Sequence, residues 1–513
     1  NLLAPLSFPI YYTKDFGQSW KVSKFDGVPD GELLAGGGDP VIVFDSKGWA
    51  HMTWLTVTLT LPSLKAEMAL RYAYSKDGGA TWIASEKMID TGDIDPTDPI
   101  KSKRLIDKEW LAIDRSNSVY QDDIYMVYVE LIPDSLENVA GTILIKKKLA
   151  NDLDFSEQAV AVNTNDYVLV QFSSIAVDNE GVVHVFFMGV DDADHTAFYH
   201  AKSIDGGASF LPEKKISDFH LPGFTPDQPN NILVGVDSSR IYPCPHMRVD
   251  NSGGPNDGDL YAVWTANGIT NKASSGLDIY FTKSTDGGDS WTTPIILNDD
   301  NEPTSHQFYP SLHVNEQGVL IVSWYDRRDD LNNIQTHYYM TYSTDGGKSF
   351  ESNFAVSSSA SDFNSIGDKN GGFGIGEYTQ VIASSAYAIP VWSDGRTNDG
   401  NIDLFIAFVP LYEAALGYEQ VGSISSAFSV EGPSPNPISE GGILKLILQK
   451  RSDVTIELHS LDGKLVQRHA AWNFPAGDYE IPIDVQDLTN GIYLLTVKTD
   501  FGFLSKKLVI SGK

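Results

Sequence analysis

Acidic and aromatic side chains recur at one place in the sequence, at the start of short apolar strands. The set comprises Asp39, Asp107, Glu109, Trp110, Tyr309, Glu377 and Tyr378. Paired carboxylates with aromatic neighbours suit glycoside hydrolysis by acid and base, sugar binding by ring stacking, or capture of Ca²⁺. If the chemistry is hydrolysis, the catalytic candidates are Glu377, Tyr378, Asp107 and Asp39. The candidates for binding substrate are then Glu109, Trp110 and Tyr309. The alternative is that Asp39 and Asp107 only cap turns.

Two arginines follow the ends of other apolar strands and are the candidates for holding an anionic group. Arg327 follows Trp324-Tyr-Asp326, and Arg396 follows Trp392-Ser-Asp394. Because each arginine has an acidic neighbour, a structural ion pair competes with the binding role. The histidines show no metal-ligand spacing, so no metal site is predicted from them.

A short motif, Ser/Thr-x-Asp-x-Gly-x-x-Trp/Phe, repeats along the chain. An aspartate can accept hydrogen bonds from the backbone of the turn that follows it, and glycine permits the positive φ of a tight reversal. The closing aromatic ring can then bury a large area beneath the turn. We therefore expect a structural role, without catalysis, for the five aspartates of the motif: Asp15, Asp77, Asp205, Asp286 and Asp345.

Each motif is preceded by a strand, and further upstream lies a pair of strands that also repeats. One such pair is Asp39–Asp45 followed by Trp49–Trp54, and the pattern recurs to give six units. These units predict four-stranded sheets of a six-bladed β-propeller over residues 1–410. The sixth unit lacks its last strand, so the strand near Trp20 is expected to complete it and close the ring.

The pattern changes after Pro410. A linker is predicted over 411–432, and short strands at even spacing then indicate a small β-sandwich over 433–513. This stretch resembles the type A sorting domain of the type IX secretion system of Bacteroidota. The resemblance rests on Pro435-Asn-Pro437, Ser460-Leu-Asp-Gly-Lys464, Leu488-Thr-Asn-Gly-Ile-Tyr493 and Lys506-Lys-Leu-Val-Ile510.

The sorting-domain resemblance implies contact with the type IX machinery through residues 433–513. It also implies a secreted protein, or one on the outer surface of a Bacteroidota cell. A carbohydrate-binding sandwich is the alternative, because fold alone does not give function.

Residues 1–410 resemble the sialidase-like bacterial-neuraminidase-repeat superfamily, whose Asp-boxes are the motif described above. Sialidases hold the substrate carboxylate with arginines, one of which lies two residues before the proline that opens a blade's first strand. The matching positions here are Gly38, Asp107, Gln171, Pro243, Phe308 and Glu377. None is arginine, and Arg240 is out of register. Since a bidentate arginine is the natural carboxylate ligand, sialidase activity itself is not expected.

Bulk composition limits the partners. With 37 Lys+Arg against 68 Asp+Glu, the formal net charge is −31, which disfavours nucleic acid and anionic membranes. Surface acidity that keeps an extracellular protein soluble is the simplest explanation of this charge. The lone cysteine, Cys244, excludes an intrachain disulfide. No stretch is apolar and long enough for a transmembrane helix.

Two functions remain open at this stage. The first is a surface or secreted glycan-binding or glycan-processing propeller, acting as a glycoside hydrolase if it is an enzyme. The second is a non-catalytic structural or adhesive protein that uses the propeller for display and binds other surface proteins. No cofactor is expected with certainty, and Ca²⁺ is the one candidate.

Overall fold

The computed structural model describes residues 8–15, 17, 19–25, 33–60, 65–95, 101–133, 139–222, 233–236, 242–269, 272–367, 369, 374–411, 428–439, 441–460, 465–486, 488–499 and 502–511. Within these ranges every named element is a β-strand, and no helix could cross a membrane. The chain divides into two compact units, Asn1–Val409 and Pro410–Lys513. Residues 412–427 of the predicted linker lie outside the described residues.

The first unit begins with an antiparallel hairpin of two strands, β1 (Phe8–Tyr12) and β2 (Lys21–Phe25). Sheet one follows, with the order β3 (Leu33–Phe44), β4 (Ala50–Thr60), β5 (Lys65–Ser75) and β6 (Ile83–Ala84). An extra strand, β7 (Asp90–Ile94), also pairs with β5. Sheet two has the same meander order, with β8 (Leu105–Ile113), β9 (Ile124–Pro133), β10 (Val139–Lys148) and β11 (Val160–Ala161).

The next three sheets repeat this meander. Sheet three contains β12 (Leu169–Val177), β13 (Val183–Val190), β14 (Thr196–Ser203) and β15 (Lys214–Asp218). Sheet four contains β16 (His246–Val249), β17 (Leu260–Ile269), β18 (Lys272–Ser284) and β19 (Ile295–Ile296). Sheet five contains β20 (Gln307–Val314), β21 (Leu320–Asp326), β22 (Gln335–Ser343) and β23 (Phe354–Ala355), with β24 (Ser361–Asp362) also paired to β22.

Sheet six contains β25 (Gln380–Ala383), β26 (Tyr387–Asp394) and β27 (Asp403–Ile406). The two-residue strand β28 (Val409–Pro410) lies where the two units divide. The first strands of successive sheets contact one another, β3 with β8, β8 with β12, and so on to β25. First strands gathered side by side, with meanders running outward from them, are the arrangement of a β-propeller. The all-β propeller class is therefore confirmed, and a ring of six blades remains a prediction.

The Asp-boxes at Asp77, Asp205, Asp286 and Asp345 form the turns between the third and fourth strands of their sheets, and the box at Asp15 forms the turn of the N-terminal hairpin. In sheet one the Asp77 carboxylate accepts hydrogen bonds from the Thr81 backbone N–H at 2.9 Å and the Thr81 hydroxyl at 2.7 Å. The Ser75 hydroxyl donates to Asp77 and accepts from the Gly79 N–H. The same set of bonds recurs in the other boxes, at Asp15, Asp205, Asp286 and Asp345.

The boxes also join neighbouring sheets, because each box packs against the sheet that precedes it. Gly288 of sheet four faces the His200 ring of sheet three, and a Cβ there would lie 2.0 Å from that ring. Phe350 of sheet five contacts Phe281 of sheet four with ring centroids 4.9 Å apart. The box glycines therefore permit a close approach that seals each interface.

The N-terminal hairpin takes the position of a preceding sheet for sheet one. The Trp82 indole donates to the Ser23 hydroxyl at 3.2 Å, and Gly79 packs against Tyr12. On its other side the hairpin meets the end of sheet six, where Gly17 lies against the Phe408 ring. These contacts support the closing role that we propose for the N-terminal segment.

The second unit is a sandwich of two antiparallel sheets. One contains β29 (Phe428–Ser434), β30 (Gly441–Leu448) and β33 (Gly477–Asp484). The other has the order β32 (Leu465–Phe474), β31 (Ser452–Ser460), β34 (Gly491–Thr499) and β35 (Gly502–Ile510). Alternate residues of both sheets, such as Leu444 and Leu446 of one and Ile456 and Leu458 of the other, share a single core.

Candidate functional site

A β-bulge interrupts the start of the first strand in sheets one, two, three and five. The pairing shifts between Asp107 and Trp110, for example, so that Lys108 and Glu109 have no single partner across the strand pair. The residue at the bulge has a positive φ in every case, and Cys244 at the equivalent position of sheet four shares it. The five residues are Asp39 (56°), Lys108 (57°), Phe172 (54°), Cys244 (44°) and Tyr309 (54°).

These left-handed conformations cost about 1 kcal/mol or more each in residues other than glycine. Bulges bend a strand and change the direction of a side chain, and they are frequent next to active sites. Five of them recur at one position of the repeat in the innermost strands. Two of these residues, Asp39 and Lys108, lie close to Asp107, Glu377 and Tyr378, and we call this polar group of five residues the mouth.

An ion pair lies at the centre of the mouth. The Lys108 ammonium group contacts the Glu377 carboxylate, and both side chains are largely buried. Burial opposes the charge on Lys108, but the carboxylates of Asp107, Glu377 and Asp39 outweigh that effect and raise its pKa. Lys108 is therefore cationic at neutral pH, and three carboxyl groups lie around it.

Glu109 lies beside the mouth and is completely buried, with 0% of its surface exposed. Neither carboxyl oxygen has a hydrogen-bond partner in another described residue. Burial, strengthened by the negative charges of Asp39 and Asp107, raises the pKa of Glu109 well above its usual range. Glu109 thus favours its protonated form more than an exposed glutamate does, and it lies beside the carboxylates of Asp39 and Asp107, an arrangement suited to acid and base chemistry.

Aromatic rings form the walls of a cavity that opens at the mouth. The Trp110 ring contacts Tyr378 at 6.1 Å and His246 at 5.2 Å between centroids. The cavity is lined by Lys108, Trp110, Phe172, Ser173, Cys244, Pro245, His246, Glu377 and Tyr378. Flat apolar rings beside carboxylates can stack on a sugar ring while the acids accept hydrogen bonds from its hydroxyl groups.

The structure therefore brings together six of the residues predicted from sequence: Asp39, Asp107, Glu109, Trp110, Glu377 and Tyr378. Tyr309 is fully buried beside them and packs against Phe308 and Tyr325, close enough to Cys244 and Glu377 for their charges to add to the effect of burial in raising its pKa. Phe172, Cys244 and His246 were not predicted to line the cavity. Aligning the repeats would have found Phe172 and Cys244, because they occupy the position of Asp39 and Lys108.

Arg327 and Arg396, the two arginines predicted to hold an anionic group, direct their guanidinium donors to other protein groups. Arg327 is 1% exposed, and its guanidinium donates to the Val234 and Asn333 carbonyls and to the Thr336 hydroxyl. Burial lowers its pKa to about 9. Arg396 binds the Asp394 carboxylate through Nε and Nη2. Arg396 therefore forms an ion pair of the kind that the alternative supposed, whereas Arg327 is held by neutral groups among the described residues.

An arrangement in which a tryptophan and an arginine both bind one aspartate occurs in sheets five and six. In sheet five its arginine is Arg328 and not the predicted Arg327. In sheet five Arg328 and the Trp324 indole both donate to Asp326. In sheet six Arg396 and the Trp392 indole both donate to Asp394. The repeat of Trp-x-Asp-x-Arg in the sequence is the signal that relates Arg396 to Arg328.

A metal centre was not found in the part of the chain that the structure describes. No group of three or more His, Cys, Asp or Glu side chains there is arranged to hold an ion. The carboxylates of the mouth instead interact electrostatically with Lys108. Arg240, the out-of-register arginine, lies outside the described residues.

Comparison with known families concerns the second unit. Residues 434–511 match the family described as "Secretion system C-terminal sorting domain". The chain carries a secretion sorting domain. This confirms the resemblance drawn from Pro435-Asn-Pro437 and the motifs that follow it, and it marks the protein for export to the cell surface or beyond.

Several solved structures are similar to the chain. A sialidase named Hadza microbial sialidase Hz136 shares 11% identity over 73% of this chain and 66% of its own, with a TM-score of 0.44. The Trypanosoma rangeli sialidase in complex with sialic acid shares 12% over 98% and 88%, with a TM-score of 0.42. The Penicillium chrysogenum α-L-arabinanase complexed with arabinobiose shares 16% over 62% and 80%, at 0.38. A comparison with curated protein sequences finds no match.

Proposed function

We propose that the protein is exported by the type IX machinery of a Bacteroidota bacterium and that its mouth binds a glycan without negative charge. The observation that carries the proposal is the Lys108–Glu377 pair with Asp39 and Asp107 around it. Among the described residues of the mouth, acidic side chains outnumber basic ones by three to one, which favours a negative potential there. Such a site repels the carboxylate of a sialic acid and favours a neutral sugar or an amino sugar.

The aromatic walls support the same proposal. Trp110 and Tyr378 are half-buried and present ring faces to the cavity. A sugar ring that stacks on them gains dispersion and apolar burial, and its hydroxyl groups reach the carboxylates of the mouth. The ion pair keeps Glu377 fixed in position, so the site is organised before ligand arrives.

Hydrolysis is the second candidate function, and Glu109 is the observation that favours it. A carboxyl group whose pKa is raised by burial, lying beside a second carboxylate, is the composition of a glycosidase site. In that chemistry Glu109 donates its proton to the glycosidic oxygen, and Asp107 takes the proton of the attacking water. Because Glu109 is completely covered, its side chain has to rotate toward the cavity before it can act.

A glycan array and a hydrolysis screen of the full chain test both functions. We expect binding to uncharged or amino-sugar glycans and none to sialylated ones. Tyr378→Ala removes a stacking face, so binding should weaken roughly tenfold. The exposed Tyr11→Ala, on the N-terminal hairpin, is the matched control and should bind as the wild type does.

Glu109→Gln separates the two functions, because it keeps the shape of the side chain and removes its proton. Retained binding with lost turnover supports hydrolysis, and retained binding without any turnover in the wild type supports binding alone. Preference for sialylated glycans, or equal binding by Tyr378→Ala, contradicts the proposal. A protein that binds no glycan on the array would leave display or adhesion as its function.

A further inference from the structure

A second polar site lies deeper along the innermost strand of sheet four. His246 and Arg248 are two residues apart on β16, so their side chains share one face of the strand. His246 lines the cavity of the mouth, where its ring contacts Trp110. Arg248 is therefore the next side chain on that face, one step further from the mouth.

Arg248 makes few contacts for an arginine in the interior. It is half-buried, and its one hydrogen bond within the described residues runs from Nη1 to the Met247 carbonyl at 2.8 Å. A guanidinium carries five N–H donors, so Nε and Nη2 are unused. No carboxylate of a described residue forms an ion pair with it. Arg328 and Arg396, by contrast, each bind an aspartate of their own strand end.

His246 adds a second unused donor on the same face. Its ring is 4% exposed, and Nδ1 has no hydrogen-bond partner among the described residues. His313 occupies the position of Arg248 in the repeat of sheet five, and β16 contacts β20. Arg248 is thus close enough to both rings for its charge to act on them, and among the described residues no carboxylate pairs with its guanidinium.

The surroundings make this arrangement costly unless a ligand completes it. Burial lowers the pKa of Arg248 to about 10, and no carboxylate counteracts that effect. Burial and the charge of Arg248 lower the pKa of His246 and His313 to about 3, so both rings are neutral. Arg248 is half-buried, so solvent only partly stabilises its charge, and a bound anion would supply the counter-charge that the described carboxylates do not.

We propose that Arg248 and His246 bind a compact anion, an inorganic ion or a carboxylate, in the interior of the propeller. The unused Nε and Nη2 donors of Arg248 bind it as a fork, and the Nδ1–H tautomer of His246 adds a third hydrogen bond. His313 contributes a neutral polar wall. Arg248, which carries the charge of this site, does not line the cavity of the mouth, so the anion site and the glycan proposal can fail separately.

Anion titration of the full chain tests the site. Thermal unfolding is followed in a Hepes buffer free of chloride and phosphate while sodium phosphate, sodium bromide or sodium glucuronate is added. We expect a saturable rise in Tm with at least one of these salts, since a ligand of the native state stabilises it. Glucuronate acting alone would assign the site to an acidic sugar, and phosphate or bromide would assign it to a free inorganic anion.

Arg248→Met removes the charge and keeps the length of the side chain, so the dissociation constant should rise at least about tenfold. Arg115→Met, at an exposed arginine, is the matched control and should titrate as the wild type does. A Tm rise of equal size in Arg248→Met, or no saturable rise with any salt, overturns the proposal. Should Arg248→Met not fold, a wild-type crystal soaked with the salt that raises Tm decides: density for that anion in hydrogen-bond contact with Arg248 supports the site, and its absence there overturns it.

Discussion

Lys108 and Glu377 form an ion pair in the mouth of the propeller although 269 positions separate them in the sequence. Lys108 belongs to the first strand of sheet two, and Glu377 lies just before the first strand of sheet six. The pair therefore links two sheets that are far apart in the chain. Its side chains are only 11% and 7% exposed, so its charges are poorly screened by solvent.

Lys108→Met should destabilise the propeller by about 3–5 kcal/mol, because breaking a buried ion pair by removing one of its members is strongly destabilising. Chemical denaturation of the full chain measures the loss. The matched control is Lys369→Met, which breaks the exposed Lys369–Asp399 pair and should cost less than about 1 kcal/mol.

The double variant Lys108→Met, Glu377→Leu should recover much of that stability, since two apolar groups can replace a buried pair with little net cost. If Lys108→Met were as stable as Lys369→Met, the Lys108–Glu377 ion pair would not hold sheets two and six together.

Local sequence was enough to predict most of the fold. The Asp-box sets its own turn through bonds between residues at most four positions apart, such as Asp77 with Thr81. The meander order follows because each strand pairs with the next one along the chain. The packing of Gly288 on His200 was not predictable, because it joins two sheets and leaves no local pattern.

Acid should weaken the Asp-boxes only at low pH. Hydrogen bonds from the Thr81 backbone and hydroxyl lower the pKa of Asp77 to about 2, against 3.8 in the unfolded chain. A depressed folded-state pKa gives stability that is present above about pH 4 and is lost as the pH falls toward 2. Between about pH 4 and about pH 2, Tm should therefore fall less steeply with decreasing pH in Asp77→Asn than in the wild type.

The exposed Asp192→Asn is the control for that comparison, because it removes an acid that has no box. If Tm fell equally steeply with decreasing pH in Asp77→Asn and in the wild type, the hydrogen bonds of the turn would not lower the pKa of the Asp77 carboxylate.

Buried histidines should make the propeller sensitive to mild acid. The His200 ring contacts His184 at 3.1 Å and packs on Trp291, and burial lowers the pKa of His200 well below 6.5. The unfolded chain then takes up a proton first, so stability is complete above about pH 6.5 and falls below it. His200→Phe keeps a ring in place and should flatten the dependence of Tm on pH between about 6.5 and 4.

His195 is 69% exposed, so His195→Phe should leave that profile unchanged. If His200→Phe and His195→Phe gave the same slope, the neutral state of the buried ring would not be a source of the acid sensitivity.

Removal of residues 434–511 should prevent export, because those residues form the sorting domain. The sandwich and the propeller have separate cores, so the propeller should remain folded without it. Immunoblots of medium and cell fractions, in a bacterium with type IX machinery, measure the distribution. Export of the truncated chain at the wild-type level would assign the signal to another part of the protein.

The candidate site was less predictable than the fold. Aligned repeats place Asp39, Asp107 and Glu377 near the axis, but their protonation depends on burial, which the alignment does not give. Glu109 illustrates this limit, since its complete enclosure is the main cause of its raised pKa. The burial of Tyr309 likewise results from packing between sheets, which no spacing along the chain encodes.

The most direct test is a crystal structure of the full chain soaked with the tightest-binding uncharged oligosaccharide from the array. We predict a sugar ring stacked on Trp110 or Tyr378, with hydroxyl groups hydrogen-bonded to Asp39 or Asp107. A sugar bound away from these residues, or a mouth that admits only a sialic acid, would contradict the account.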